Sequence, residues 1–280
     1  MDWISGFVRN KYVWLLAPAC ILLLVGFFIP LAQVAQWSSS IAQYKLVLGP
    51  GAYRDIMVTT FQLSIIVAAL SVILAYPVAY YLSICSPRKQ KLLLILVLTP
   101  LWVSVLIRTY GWIVVLGRSG VVNSLLLDIG LVEQPLQLLY TRFAVYVAMI
   151  QVLLPIAVLM LFSAMVSIND AYMKAARILG ATWLDSFRYV FLPLTANAVA
   201  SSAILIFILS LGFFITPALV GGPKDILVSN IIQTQVNEAM NWELAAVLGV
   251  VLLVAGGLVV AAVTVLMGKY SSQSAVGGIK

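Results

Sequence analysis

The sequence predicts an all-α membrane protein with six transmembrane helices. Three observations carry this. Of the 280 residues 63% are hydrophobic, only 9% are charged, and six apolar runs are each long enough to cross a bilayer. A soluble domain averages about 25% charged residues, and a spanning helix needs about 20 apolar ones. A soluble fold of this length could not bury so much apolar surface.

The runs lie at 12–37, 58–85, 91–117, 143–168, 192–219 and 244–268, within a single transmembrane domain over 1–280. The first follows Arg9 and Lys11, as a signal peptide would. It is too long for one, and "IPLAQVAQW" is a weak cleavage site, so it reads as a retained span. With six spans, both termini and the segments 86–90 and 169–191 share one side. That side holds Arg9, Lys11, Arg88, Lys89, Lys91, Lys174, Arg177, Arg188, Lys269 and Lys280. The other holds only Lys45, Arg54, Arg118, Arg142 and Lys224, with Arg108 inside span three. The basic side, and with it both termini, is expected to be cytoplasmic. The net charge of +7 thus reports topology. No basic stripe on a soluble face offers nucleic acid a site, and membrane lipid is the expected surrounding.

Two outer loops carry apolar residues at helical spacing. In 118–140, Leu125, Leu126, Leu127, Ile129 and Leu131 predict a short interfacial helix before a turn at Pro135. In 221–242, a Gly-Gly-Pro break precedes Ile226, Ile231, Ile232 and Val236, which predict a second.

Catalytic chemistry finds little to use. There is no histidine, and Cys20 and Cys85 stand far apart beside apolar runs. This excludes a Cys/His zinc site and any histidine-based nucleophile system. No metal site and no catalytic residue are expected. No "GxxxxGK[ST]" stretch is present to cradle ATP phosphates. No Asp or Glu stands clearly inside a span, where proton-coupled carriers commonly keep relays.

One charged segment interrupts the oil: "KAARILGATWLDSFRYVFLPL", residues 174–194. Asn169 or Asp170 offers an N-cap. Ala175, Ala176, Ile178 and Leu179 give a small close-approach face, and Gly180 suits a left-handed stop. Trp183, Leu184, Phe187 and Val190 then recur at helical spacing, and Pro193 opens span five. The pattern predicts two short helices meeting at a glycine on the membrane surface. Physics alone leaves two uses open: an unpartnered interfacial loop, or an element that inserts into a groove.

The spacing of this segment resembles the "EAA" loop of bacterial ABC importer permeases. Ala175-Ala176, three residues, Gly180, nine residues, Val190, one residue, then Leu192-Pro193 reproduces that pattern, with Val for Ile. Lys174 stands where the pattern has Glu. The stretches "RTYGWIVVLGRSGVVNSLLL", 139–170, "LGFFITPALVGGP" and "NWELAAVLGVVLL" extend the likeness to spermidine/putrescine importer permeases. The resemblance implies a type I ABC importer permease fold in the bacterial inner membrane. It implies a non-catalytic subunit forming half of a pathway for polyamines, driven by alternating access. The implied partners are a cytoplasmic ATPase dimer that binds ATP and Mg, a second and non-identical permease, and a periplasmic substrate-binding protein. Lys174, Ala175, Ala176, Arg177, Gly180, Val190, Leu192 and Pro193 would form the ATPase-coupling loop over 169–191. Related permeases carry opines, phosphonates or small carboxylates, and a stand-alone secondary transporter is a further alternative.

Seven residues are candidates for the pathway. Arg108, toward the outer end of span three, is costly in lipid unless paired or solvated; snorkelling to headgroups is the other reading. Tyr110 and Trp112 read either as an aromatic belt or as faces for an ammonium group. Trp102, Gln151 and Phe214 lie deeper, and a buried Gln either glues helices or faces water. Glu243, beside Trp242, stands at the mouth of span six. Arg108 favours an anionic cargo; the aromatics and Glu243 favour an amine.

Overall fold

The structure, a computed structural model, describes residues 16–276. Asp2, Arg9, Lys11, Lys280 and the 12–15 start of the first expected span lie outside the described residues. The described chain is helical throughout its regular structure. It runs α1 (Ala17–Trp37), α2 (Ile41–Leu48), α3 (Ala52–Ile84) and α4 (Pro87–Leu98), then a 3-10 turn (Thr99–Trp102). Next come α5 (Val105–Leu116), α6 (Val121–Asp128), α7 (Arg142–Val166) and α8 (Ala171–Ile178). α9 (Trp183–Ser186) passes through a π turn (Phe187–Phe191) into α10 (Leu192–Leu211). α11 (Ile215–Val220), α12 (Val228–Asn237) and α13 (Trp242–Val276) follow. Six runs are long and apolar enough to cross a membrane: Ala17–Trp37, Ala52–Ile84, Val105–Asp128, Arg142–Val166, Trp183–Leu211 and Trp242–Met267.

The core is the seam of α3, α7 and α10. α3 buries Leu63, Val67, Ala68, Ala75, Ala79 and Leu82 along one face. α7 buries Ala144, Val145, Ala148, Met149, Val152 and Ala157. Lipid is as apolar as leucine, so spans associate by packing, and small residues let their backbones approach closely. α1 behaves oppositely. None of its residues is buried, and it leans on α13, with Trp37 and Trp242 at 5.3 Å.

The structure departs from the sequence reading at four spans. The third, expected unbroken over 91–117, stops at Leu98, tightens into the 3-10 turn, and is extended at Val103 and Ser104 before α5. Pro100 lies inside that tight turn, where its missing N–H is tolerated. The fifth, expected over 192–219, begins earlier and ends earlier. Pro193 does not open it: the π turn carries the helix through, with the Leu192 N–H donating to the Phe187 carbonyl five residues back. The wider register accommodates a proline that cannot donate. The helix then ends at Gly212, and α11 restarts at Ile215. The second span starts at Ala52 rather than 58, α13 runs to Val276, and α2 has no counterpart in the sequence reading. The two loop helices are present as α6 and α12.

Side chains hold the α10–α11 break and the α5–α6 turn. At the α10–α11 break, Ser229 Oγ donates to the Phe213 carbonyl and Asn230 Nδ2 to the Phe214 carbonyl, each at 2.6 Å. Asn123 Nδ2 donates to the Gly117 and Leu136 carbonyls, and its Oδ1 accepts from the Leu136 N–H at 2.8 Å. Gly120 closes the α5–α6 turn, where a Cβ would stand 2.4 Å from the Val114 carbonyl oxygen. Non-helical backbone at membrane depth persists only where it is buried in protein or lines water.

Candidate functional site

The charged segment folds as two unlike arms around a glycine joint. The first arm is α8. Asn169 Oδ1 accepts from the Ala171 N–H at 2.9 Å, so Asn169 supplies the side-chain cap that Asp170 does not. At the other end the Gly180 N–H donates to the Arg177 carbonyl and the Ala181 N–H to the Ala176 carbonyl. This double closure needs a left-handed residue, and Gly180 has φ 91°. Ala175 and Ala176, expected on one face, divide: Ala175 is exposed and Ala176 half-buried. Met173 packs against the core from the inner side. The outer side presents Tyr172, Ile178 and Leu179, the last two 85% and 87% exposed. Lys174 and Arg177 are exposed as well. Exposed apolar patches of this kind mark surfaces that meet protein or membrane.

The second arm is the foot of span five rather than a separate surface helix, which corrects the sequence reading. Thr182 opens it with a capping box: its Oγ1 accepts from the Asp185 N–H at 3.2 Å, and the Asp185 carboxylate accepts from the Thr182 N–H. Trp183, Phe187 and Phe191 follow at four-residue intervals and stack, with centroids 5.7 and 5.8 Å apart. Tyr80 of α3 meets Phe187 edge-on at 5.3 Å and Phe191 at 5.0 Å, and Tyr76 meets Phe187 at 6.1 Å. Aromatic pairs of this geometry contribute about 0.5–1.5 kcal/mol each beyond their area. The Thr195 hydroxyl donates to the Phe191 and Leu192 carbonyls, so the Tyr76 hydroxyl donates to it, at 2.8 Å. Val190 is half-buried, while Leu192, Pro193 and Arg188 are exposed, Arg188 lying 5.8 Å over the Tyr189 ring. The ladder ties the joint at Gly180 to spans two and five.

The seven pathway candidates do not converge on one enclosed pocket. Trp102 is 79% exposed on the 3-10 turn. Arg108 is half-buried on α5, and its Nε and Nη1 are shut off from the surface with no hydrogen-bond partner among the described residues. Gln151 on α7 has its Oε1 in the same condition. Tyr110 is exposed, Trp112 packs against the core, Phe214 precedes α11 and is exposed, and Glu243 is exposed in the first turn of α13. A cleft of about 680 Å³ opens instead between Tyr140, Pro217, Gly222, Asn230, Gln233 and Thr234. None of the seven lines it. Next to Arg108, the Thr109 hydroxyl donates to the Val105 carbonyl and therefore accepts from Thr216 at 3.2 Å, pinning α5 to α11.

Sequence reasoning missed four devices: the tyrosine rungs, the Asn123 knot, the interruption at Val103–Ser104, and an ion pair between an exposed arginine and a buried aspartate. In the last, Arg142 Nε meets Asp225 Oδ1 at 2.8 Å, and Asp225 Oδ2 accepts from the Gly222 N–H. Only the four-residue aromatic spacing of the second arm was available as a signal.

No family model matches the chain. Among curated proteins, the chain is 32% identical over 221 residues to a spermidine/putrescine transport system permease protein PotB of Haemophilus influenzae. That alignment covers 79% of this chain and 77% of the relative. The PotB of Escherichia coli is 30% identical, with 77% and 78% covered. Among solved structures, a bacterial alginate ABC transporter in complex with alginate pentasaccharide-bound periplasmic protein superposes with a TM-score of 0.76. There the identity is 18%, with 94% of this chain and 96% of that one covered, and the likeness shows the fold. The six apolar runs and these relatives make it a multi-pass inner-membrane protein. The chain belongs to the family of spermidine/putrescine transport system permease proteins.

Proposed function

We propose that this chain is one permease half of an ATP-driven importer for polyamines, and that α8 is the peg on which a separate ATPase pulls. The observation that carries the reading is the contrast within the charged segment. α8 turns Tyr172, Ile178 and Leu179 outward, while the arm beyond Gly180 is stacked onto α3.

The chain carries no phosphate-cradling loop, so ATP and Mg belong to the ATPase dimer, and this subunit is non-catalytic. Closure of that dimer displaces α8. The Gly180 joint and the aromatic ladder pass the displacement to spans two and five, and rigid-body shifts of the spans alternate access. Lys174, Ala175, Ala176, Arg177 and Gly180 make the docking end, with Val190, Leu192 and Pro193 at its root. This places 169–191 and both termini on the cytoplasmic side, in keeping with the positive-inside rule. The other half of the pathway is a second permease, and Lys174 in place of Glu marks this one as the divergent member of an unlike pair. A periplasmic binding protein delivers cargo to the outer face.

One observation favours a second cargo class. The enclosed, unpaired nitrogens of Arg108 suit a carboxylate or phosphonate, as in opine-type cargo. Reconstituting the complete transporter in liposomes decides between them. ATP-dependent accumulation of spermidine that an opine-like acid does not inhibit supports the polyamine reading. Accumulation of the acid alone supports the second, and accumulation of either without ATP contradicts both.

A further inference from the structure

α4 carries its charge on the face that it turns away from the core. Its inner face is Gln90, Leu93, Leu94 and Val97. The Gln90 side chain donates to the Leu82 carbonyl at 3.1 Å, and the three apolar residues pack against the core. These contacts fix the rotation of the helix. The outer face runs Arg88, Leu92, Ile95 and Leu96, all exposed, with Lys89 and Lys91 exposed beside it. Residues three and four apart are neighbours on a helix, so Leu92 stands over Arg88 and Lys89, and Ile95 over Lys91. Three cations fall within residues 88–91, and none of them forms an ion pair among the described residues. The first turn of α4 holds no acid. Cations at the amino end of a helix oppose its dipole, so the cluster is costly unless an anion lies close.

The positive-inside rule asks for cations on this side of the membrane, but not for their alignment with an apolar face. The alignment has the layout of a phospholipid. Side chains of a helix lean toward its amino end, and long basic ones carry their charge to the headgroups while their stems lie along apolar surface. Leu92 and Leu96 follow Arg88 by four and eight residues, about 6 and 12 Å deeper along the helix, where acyl chains run. On the membrane topology proposed above, this end of α4 meets the inner leaflet. We infer that Arg88, Lys89 and Lys91, with the face from Leu92 to Leu96, form a docking site for an anionic phospholipid. The cations hold its phosphate and acidic headgroup, and the apolar face holds its chains. Charge complementarity names an anion, and the apolar half of the face makes that anion a lipid. A cytoplasmic protein such as the ATPase reaches the charged half and not the half at membrane depth. The bound lipid anchors the inner half of span three, which has no fully buried residue of its own.

The test is native mass spectrometry of the complete transporter released from nanodiscs of phosphatidylcholine with increasing fractions of phosphatidylglycerol. Subunit content and Tm are measured in parallel. Both leaflets of a nanodisc have the same composition, so the result depends neither on which side is cytoplasmic nor on the cargo. The unaltered complex retains phosphatidylglycerol, and inorganic phosphate, which has no chains, does not displace it. Combining Arg88→Gln, Lys89→Gln and Lys91→Gln weakens retention about 30- to 100-fold; Arg88→Gln alone, used if the triple variant does not assemble, weakens it about 5-fold. Arg88→Lys keeps the charge and stays within about twofold. Arg54→Gln with Arg118→Gln and Lys224→Gln removes as much charge from the other side and leaves retention unchanged. Unchanged retention in the α4 variants, or an equal loss in that control, overturns the site. Displacement by inorganic phosphate overturns the lipid as its occupant. Loss of the ATPase or of the second permease from the α4 variants also overturns it, because the face is then a protein contact. If the unaltered chain purifies without an ATPase, the docking reading of α8 fails, while the same titration on the chain as purified still decides the lipid site.

Discussion

The two arms of residues 171–191 differ in almost every physical respect. α8 leaves Ile178 and Leu179 bare and touches the core through Met173. Beyond Gly180, the chain stacks Trp183, Phe187 and Phe191 and meets two tyrosines of α3. One arm leaves its apolar residues bare; the other is finished within the chain. On the docking function proposed above, the difference shows how a mostly apolar subunit would receive force: the receiving surface is exposed, the transmitting one is packed, and a single left-handed glycine separates them.

The largest effect is expected at the packed arm. Phe187→Ala removes the rung that touches Trp183, Phe191, Tyr76 and Tyr80. Truncating a packed Phe costs about 3–5 kcal/mol, less where the ring is only half-buried as here. We expect a clear fall in the detergent Tm of the purified permease and loss of uptake; an unchanged Tm would dissolve the distinction between the arms.

A smaller effect is expected at the joint. Gly180→Val places a β-branched residue at φ 91°, with no side chain crowding the site, so backbone strain acts alone. It amounts to about 1–2 kcal/mol. Transport should fall while ATP hydrolysis by the assembled complex persists. Equal loss of both would mean that the joint shapes docking rather than transmission.

Tyr76→Phe removes the 2.8 Å hydroxyl bond to Thr195 but keeps the ring. A drop of about 1 kcal/mol in stability, with docking unaffected, is the expected outcome; denaturation monitored by tryptophan fluorescence reads it. Least of all should follow from Lys174→Glu, which puts the family's acid on an exposed position. Its effect on permease stability stays within about 0.5 kcal/mol, and a measurable Tm shift there would show that the first arm is less free than its exposure says.

The first arm was legible in the sequence because its signals are local. Only glycine readily takes φ 91°, and Ala175-Ala176, Gly180 and Leu192-Pro193 stand at fixed distances. The loop helices α6 and α12 were legible for the same reason. The second arm was half legible. Its aromatics repeat every four residues, but Tyr76 and Thr195 are 119 residues apart, and nothing in one sequence pairs them. Pro193 misled, because a proline at a span boundary ordinarily opens a helix, whereas here the π turn carries the helix through. The break at Val103–Ser104 was invisible for a different reason. "TPLWVS" is as apolar as its surroundings, and hydropathy measures the cost of side chains, not the direction of the backbone. The pathway residues were chosen one by one for their chemistry, and the described chain does not gather them around one cleft.

The central claim is that α8 docks an ATPase. The measurement that tests it most directly is purification of the tagged chain from its native membranes, unaltered and as Leu179→Asp, with mass spectrometry of what comes with it. The account predicts an ATPase and a second permease with the unaltered chain. With Leu179→Asp it predicts loss of the ATPase, retention of the second permease, and an unchanged Tm. An ATPase that stays bound to the variant, or an unaltered chain that emerges alone even after crosslinking, would contradict it.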